Sequence, residues 1–212
     1  MKKICKICFK DIKDNNWSYF INSNLSLCKS CYKKLLPKFI NFKVNQYKAL
    51  SIYQYDEDIK SLLYQFKGCF DIELESIFLE RYSIYYRLKY HNYIIVPIPS
   101  FSMDDEIRGF NHVVEIFSLL KLPIIRAIIK TEHHKQSDRD HIGRREIGKY
   151  LKLDESINIV GKRVLLVDDV YTTGSTIKAA IKLIETQHPK DIKIMVMSKT
   201  KDIYPYSTDI KS

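Results

Sequence analysis

The sequence has no long hydrophobic run. No apolar stretch among its 212 residues approaches the roughly 18 residues that a membrane-spanning helix needs. No apolar core follows the basic start, as it would in a secretory signal peptide. We therefore expect a cytoplasmic protein without a membrane span. At 45% hydrophobic and 28% charged residues, the chain has the composition of an ordinary globular protein, long enough for one α/β domain with a small appendage.

Glycine is scarce, and its placement excludes two common nucleotide-binding motifs. The six glycines never form G-x-G-x-x-G, so the dinucleotide fingerprint is absent. Gly174 is followed by serine rather than by the lysine of a P-loop. No Ser-His-Asp or Cys-His arrangement, no internal repeat and no low-complexity block is apparent.

The most informative stretch is residues 164–177, Val-Leu-Leu-Val-Asp-Asp-Val-Tyr-Thr-Thr-Gly-Ser-Thr-Ile. Its four leading apolar residues predict a strand buried on both faces of a parallel sheet. Asp168 and Asp169 then come where that strand should end, followed by a turn of small and hydroxyl residues. Beyond the turn, apolar residues at 177, 180, 181 and 184 predict a helix.

This order of elements favours binding of a sugar phosphate. Ligands of open α/β sheets bind outside the carboxyl ends of the strands, and the first amides of a helix are free donors for an anion. Gly174 allows close approach of the backbone, while the two carboxylates can accept hydrogen bonds from sugar hydroxyls or attract Mg²⁺. The alternative is an ordinary connecting turn, with solvated acids and hydroxyls that only cap the helix.

The stretch resembles the PRPP-binding motif of type I phosphoribosyltransferases, particularly that of the ComF-type competence proteins. The resemblance implies that Asp168 and Asp169 are the catalytic acids that meet the ribose hydroxyls, with Mg²⁺ accompanying PRPP. It also implies that the 5-phosphate binds to the following turn, which comprises Tyr171, Thr172, Thr173, Gly174, Ser175 and Thr176.

Two other segments are similar to ComF-type sequences. Residues 55–67 resemble the entry into the transferase domain, and the Arg-Gly-Phe-Asn segment at 108–111 makes Arg108 a candidate for a phosphate or pyrophosphate contact. The alternative for Arg108 is a surface arginine near a helix start. Three acids at 104–106 precede it, where we expect them to weaken anion binding.

A long polar segment, residues 130–150, is typical of a mobile lid over an active site. The resemblance selects Gln136 and Arg144 within it as further ligand-binding residues. A metal site formed by the histidines of this segment is a weaker alternative, because they lack carboxylates at suitable spacing.

Four cysteines have the spacing of a structural zinc site. Cys5 and Cys8 form one Cys-x-x-Cys pair, and Cys28 and Cys31 form a second one. Each pair presents two sulfurs from one tight turn, so that two turns can complete a tetrahedron. A redox pair or free thiols are the alternatives. We expect Cys69, which lies outside this spacing, to be a small buried residue.

Positive charge is concentrated in the same N-terminal part. Residues 1–48 contain eleven lysines and two aspartates, a balance of +9 within the whole chain's +10. A basic module of this size indicates nucleic acid or an acidic partner surface, although a solvated lysine-rich face is an equal alternative.

We therefore predict a zinc-finger module over residues 1–46, ending in a linker at 38–46, and a phosphoribosyltransferase-like domain over residues 47–212. The predicted fold is a parallel sheet flanked by helices, with strands at 49–55, 93–100, 163–168 and 191–197. A helix is predicted over roughly 71–90, and its aromatic residues suit a core better than a base-stacking surface.

The resemblance implies a protein of natural competence, that is, of DNA uptake and transformation. One hypothesis is Mg²⁺-dependent PRPP binding or phosphoribosyl transfer. The alternative is a non-catalytic scaffold whose zinc finger binds single-stranded DNA and a DNA-translocating helicase. The sequence leaves open whether the chain is an enzyme.

Overall fold

A computed structural model describes residues 3–12, 26–100, 102–130 and 150–201, with no side-chain detail for 102–104. Its strands are β1 Ile40–Val44, β2 Tyr47–Gln54, β3 Tyr93–Pro97, β4 Ile128–Lys130, β5 Leu151–Leu153, β6 Arg163–Tyr171 and β7 Asp191–Lys199. Its helices are α1 Lys29–Lys34, α2 Glu57–Gly68, α3 Glu75–Leu79, α4 Ser83–Lys89, α5 Ser102–Arg108, α6 His112–Ser118 and α7 Ser175–Glu185. Within these ranges no helix is both long and apolar enough to cross a bilayer.

Five strands form the main sheet in the order β1-β2-β7-β6-β3. Strands β2, β7, β6 and β3 are parallel, and only β1 pairs antiparallel, with β2. The predicted parallel α/β fold is therefore confirmed. Residues 38–46 are not the expected linker, because Ile40–Val44 extends the edge of this sheet.

Side chains alternate between the two faces of the central strand β6, which separates two hydrophobic cores. Leu165 and Val167 pack with α2, α3 and α6 on one face. Val164 and Leu166 pack with α7 and the small β4–β5 sheet on the other face. Because both faces of β6 are buried, its sequence is a continuous apolar run rather than an alternation of apolar and polar residues.

Helix α7 follows the sequence prediction closely. Its buried residues are Ile177, Ala180, Ile181 and Ile184, the positions that the helical spacing selected. The last strand, β7, continues two residues beyond its predicted end at residue 197. Ser198 and Lys199 are buried in β7.

The predicted helix at 71–90 is divided into α3, α4 and two 3-10 turns, Ile72–Leu74 and Glu80–Tyr82. Phe78 and Tyr86 are buried, whereas Tyr85 is exposed. The core interpretation of this aromatic segment is therefore confirmed for most of its rings. Cys69, which we expected to be buried, is exposed directly after α2.

Candidate functional site

Asp168 and Asp169 lie in the part of β6 that still pairs with β7 but no longer pairs with β3. Strand β3 ends at Pro97, which pairs with Val167, but β6 continues to Tyr171 because β7 still pairs with it. Asp168 and Asp169 are therefore inside β6 rather than after it, just beyond the end of its other neighbour. Asp169 is buried and Asp168 is partly exposed.

Asp169 is held by donors from three elements. Its Oδ2 lies 2.5 Å from Nζ of Lys67 on α2 and 3.3 Å from Nε2 of His112 on α6. Its Oδ1 accepts a hydrogen bond from the Val170 amide at 2.7 Å. Burial alone opposes ionisation, but the His112 contact and the Lys67 charge outweigh it, so the pKa of Asp169 lies well below its ordinary value.

Asp168 has the opposite electrostatic environment. Burial and the negative charge of Asp169 raise its pKa well above the ordinary value for an aspartate. Its Oδ1 accepts only a backbone hydrogen bond, from Asp169 N at 2.9 Å, among the contacts that the described residues show. The two acids are therefore unlike: Asp169 is neutralised by the protein, and Asp168 gains from a cation or a hydrogen-bond donor supplied from outside.

The turn after β6 has a backbone shape that requires glycine. Gly174 has φ +72°, and a Cβ there would lie 2.3 Å from the Tyr171 hydroxyl oxygen. The hydroxyls of Thr173 and Ser175 are 3.2 Å apart, and Ser175 starts α7. Thr172 and Thr176 are partly exposed beside them. The predicted sequence of strand, acids, hydroxyl turn and helix start is thus present.

Arg108 does not present an open guanidinium. Its side chain is only 9% exposed; Nε donates to the Lys67 carbonyl at 2.9 Å, and Nη1 donates to Asp105 Oδ1 at 2.9 Å. Nη1 also lies 3.1 Å from Nδ1 of His112. The proposed phosphate contact of Arg108 stays a prediction. Its side chain contacts Lys67 and His112, the two residues whose side chains lie against Asp169.

Asp105 is one of the three acids that we expected to weaken anion binding. Its carboxylate is paired with neighbouring side chains of the protein. Besides Arg108, it accepts a hydrogen bond from Nδ2 of Asn111 at 2.6 Å and one from Oγ of Ser100 at 2.6 Å. Asn111 in turn caps α6 through the Val114 amide. This acid therefore serves to connect the end of β3 to α5 and α6.

A concave pocket of about 330 Å³ adjoins Asp169 on the side of α2. Lys67 and Val170 belong to its wall, next to the acid, and the turn at 172–176 does not. The remaining wall residues are Tyr55, Glu57, Lys60, Ser61, Leu63 and Tyr64.

The four predicted metal-ligating cysteines come together. The sulfurs of Cys5, Cys8, Cys28 and Cys31 all lie within 4.8 Å of one another, and those of Cys8 and Cys28 are 3.7 Å apart. Zinc–sulfur bonds of about 2.3 Å in a tetrahedron require sulfurs about 3.8 Å apart, so the donor set fits Zn²⁺. Burial opposes ionisation of Cys5, yet backbone hydrogen bonds from Cys28 and Cys8 lower its pKa to about 7, whereas burial and the neighbouring cysteine side chains raise the pKa of Cys31.

The cysteine module is packed onto the transferase-like part. Cys5 and Cys31 belong to the same hydrophobic core as α2 and α3. The hydroxyls of Tyr32 and Tyr82 are 3.1 Å apart, and Arg81 lies over the Tyr32 ring at 4.1 Å. The division of the chain at residue 46 stays a prediction, but the module shares its core with the helices beside it.

Sequence reasoning missed Lys67 and His112 as members of the site. His112 had a detectable signal, because it occupies the same helical face as Ile116, four residues later, where an apolar residue is expected. Lys67 directly follows the buried Phe66 and carried no such signal. Gln136 and Arg144 lie outside the described residues, as do the histidines between 131 and 149.

A family model identifies the family to which the chain belongs. The family model described as "Phosphoribosyl transferase domain" matches residues 85–206. The chain is 28% identical over 134 residues to "Competence protein ComFC" of Bacillus subtilis, and 30% identical over 145 residues to "Competence protein ComFC" of Streptococcus pneumoniae. These alignments cover 62% and 68% of this chain and 55% and 64% of the two relatives, so the chain spans less than two thirds of their length.

A solved structure of a hypoxanthine-guanine phosphoribosyltransferase from Bacillus anthracis superposes with a TM-score of 0.40 at 16% identity. The superposition covers 61% of this chain and 70% of that one. The family model alone matches more than half of the sequence, including the acid pair and the hydroxyl turn. The chain therefore belongs to the phosphoribosyltransferase-domain family, and it is similar to two ComFC competence proteins.

Proposed function

We propose that this chain binds PRPP, or a related ribose 5-phosphate, together with Mg²⁺, as part of a protein of natural competence. The observation that carries the proposal is the direct succession, at the open end of β6, of two unlike carboxyls, a hydroxyl turn and the start of α7. Membership of the phosphoribosyltransferase-domain family and the likeness to two ComFC proteins support it.

Each part of the site has a separate task in this proposal. The amides and hydroxyls of residues 172–176 surround the 5-phosphate, with Tyr171 beside them and with the positive end of the α7 dipole behind it. Asp168 and Asp169 accept hydrogen bonds from the ribose hydroxyls. Because aspartate oxygens suit a hard cation, Mg²⁺ fits beside Asp168, where burial and the negative charge of Asp169 raise the pKa of the carboxyl.

Transfer of the phosphoribosyl group is the reaction that such a site can support. Bound Mg²⁺ supplies charge neutralisation for a departing pyrophosphate. The protein itself fixes the sugar through the acid pair and the phosphate through the turn. Gln136 and Arg144 are further ligand-binding residues in this proposal. The cytoplasm is the proposed compartment, because four thiols must remain reduced to bind zinc.

Titration calorimetry with PRPP and Mg²⁺ tests the proposal. We expect saturable binding that needs Mg²⁺ and is lost in Asp168→Asn and in Asp169→Asn. Asp154→Asn, an equal loss of charge on the exposed segment after β5, serves as the matched control and should bind normally. Absence of heat with the wild-type chain at millimolar PRPP and Mg²⁺ would contradict the proposal.

A basic DNA-binding surface is a second candidate function, favoured by the balance of +9 in residues 1–48. Lys29, Lys33 and Lys34 are exposed on α1, and this surface could hold single-stranded DNA or the acidic face of a helicase partner. Single-strand affinity should then fall steeply with salt. The double change Lys33→Glu/Lys34→Glu should reduce the slope of log affinity against log salt by about 1.4 if both lysines contact phosphates.

A single charge reversal on α2, Lys60→Glu, is the control for that experiment, because this lysine is paired with Glu57 in the i,i+3 position. An affinity that does not depend on salt would exclude phosphate contacts as the basis of binding.

A further inference from the structure

The acid pair is supported from behind by a chain of buried polar contacts that runs through α5 and α6. It passes from Asp105 to Arg108, then to His112, and ends at Asp169. Both middle side chains are 9% exposed, so neither is a solvated surface group. Polar groups buried to this extent are almost always hydrogen-bonded. For each contact we can therefore ask which atom is the donor and which is the acceptor.

The chemistry of arginine fixes the direction of the contact with His112. A guanidinium has only N–H donors, so the 3.1 Å contact from Arg108 Nη1 requires an unprotonated Nδ1 on His112. The proton of the neutral ring must then be on Nε2, which lies 3.3 Å from Asp169 Oδ2. The ring is therefore a relay that accepts from the arginine and presents an N–H to the carboxylate.

The result is a carboxylate whose plane is fixed. Asp169 Oδ1 is held by the Val170 amide, and Oδ2 is held between Lys67 on α2 and His112 on α6. We propose that His112 is a positioning residue of the acid pair, and that Arg108 acts through it by selecting its tautomer. The role rests on the proposed function, since the orientation of Asp169 matters there for the ribose hydroxyls. It needs no contact between His112 or Arg108 and the ligand.

The tautomer can be measured without any ligand. Two-bond ¹⁵N–¹H correlation spectra of the wild-type chain at neutral pH should show the His112 proton on Nε2 and a bare Nδ1. Arg108→Met should remove the preference for this tautomer. A ring with its proton on Nδ1, or with protons on both nitrogens, would overturn the proposal.

A matched pair of variants tests the effect on the site. The amide nitrogen of glutamine can take the place of Nε2, so His112→Gln keeps a donor towards Asp169, whereas the shorter His112→Asn reaches only as far as Nδ1. We expect His112→Asn to weaken PRPP–Mg²⁺ binding roughly ten- to hundredfold, the range for outer-shell partners of metal sites, with His112→Gln close to wild type. Equal affinities of the two variants would overturn the positioning role.

A carboxyl titration separates this proposal from the proposed function. ¹³C spectra of the ligand-free variants should show a higher pKa of Asp169 in His112→Asn than in His112→Gln. If the wild-type chain binds no PRPP, the proposed function fails, and this titration still decides the role of His112. A purely structural histidine would lower the stability of both variants without separating the two titration curves.

Discussion

The unlike environments of the two acids lead to a prediction about folding stability that can be made for the apo protein. Replacing Asp169 by asparagine removes a negative charge that Lys67 and His112 stabilise. Replacing Asp168 removes a negative charge that burial and Asp169 disfavour. Asp169→Asn should therefore destabilise the fold, and Asp168→Asn should leave it unchanged or more stable. Both variants are expected to lose PRPP binding, so stability is what distinguishes the two acids.

The magnitude for Asp169→Asn follows from its partners. Loss of one member of a fully buried ion pair costs about 3–5 kcal/mol, and an unsatisfied buried donor costs about 1–3 kcal/mol. The Lys67 side chain is 37% exposed and can turn its ammonium towards water, which reduces the first figure, whereas the His112 N–H cannot escape. We expect a net loss of about 2–3 kcal/mol, or roughly 4–12 °C in Tm for a chain of this size.

The pH dependence has a definite sign. The pKa of Asp169 is lowered on folding, so its contribution is present above the unfolded value of about 3.9 and is lost as the pH falls through the folded value. The stability difference between wild type and Asp169→Asn should therefore be full at neutral pH and should shrink in strong acid. Because the pKa of Asp168 is raised, the advantage of Asp168→Asn should grow as the pH rises.

Urea denaturation of the three chains between pH 2 and pH 8, followed by circular dichroism, measures these differences. Glu155→Gln, on the exposed segment after β5, controls for the loss of one exposed carboxylate. A finding that Asp168→Asn and Asp169→Asn have the same free energy of unfolding at neutral pH would refute the assignment of unlike roles.

Three further predictions concern other parts of the chain. Gly174→Ala should destabilise by about 1–2 kcal/mol, because alanine is strained at positive φ and its Cβ meets the Tyr171 ring; a urea midpoint equal to that of wild type would contradict the turn geometry. A metal assay should give one zinc per chain, and Cys8→Ser should lower both the zinc content and Tm, because Cys5 and Cys31 belong to the core that contains α2 and α3. Lys67→Met should raise the pKa of Asp169, measured by ¹³C titration, because the lysine charge helps to hold it low; a titration curve that coincides with wild type would show that the Lys67 contact does not persist in solution.

The sequence by itself determined the central strand, the acids, the turn and the helix after it. Their local signals agree: a continuous apolar run for a strand buried on both faces, glycine at position 174 where the turn has positive φ, and apolar residues at helical spacing in α7. The sequence also predicted that the four cysteines come together, because each Cys-x-x-Cys pair presents two sulfurs from one turn.

The tertiary structure alone decided what surrounds the acids. Lys67 and His112 come from helices far apart in the sequence, and no local pattern states that both converge on Asp169. It also decided that residues 40–44 form an edge strand, because pairing with β2 is a property of the partner strand as well as of the segment itself. Short-range spacing encodes turns and faces, whereas burial and charge compensation depend on which elements the fold brings together.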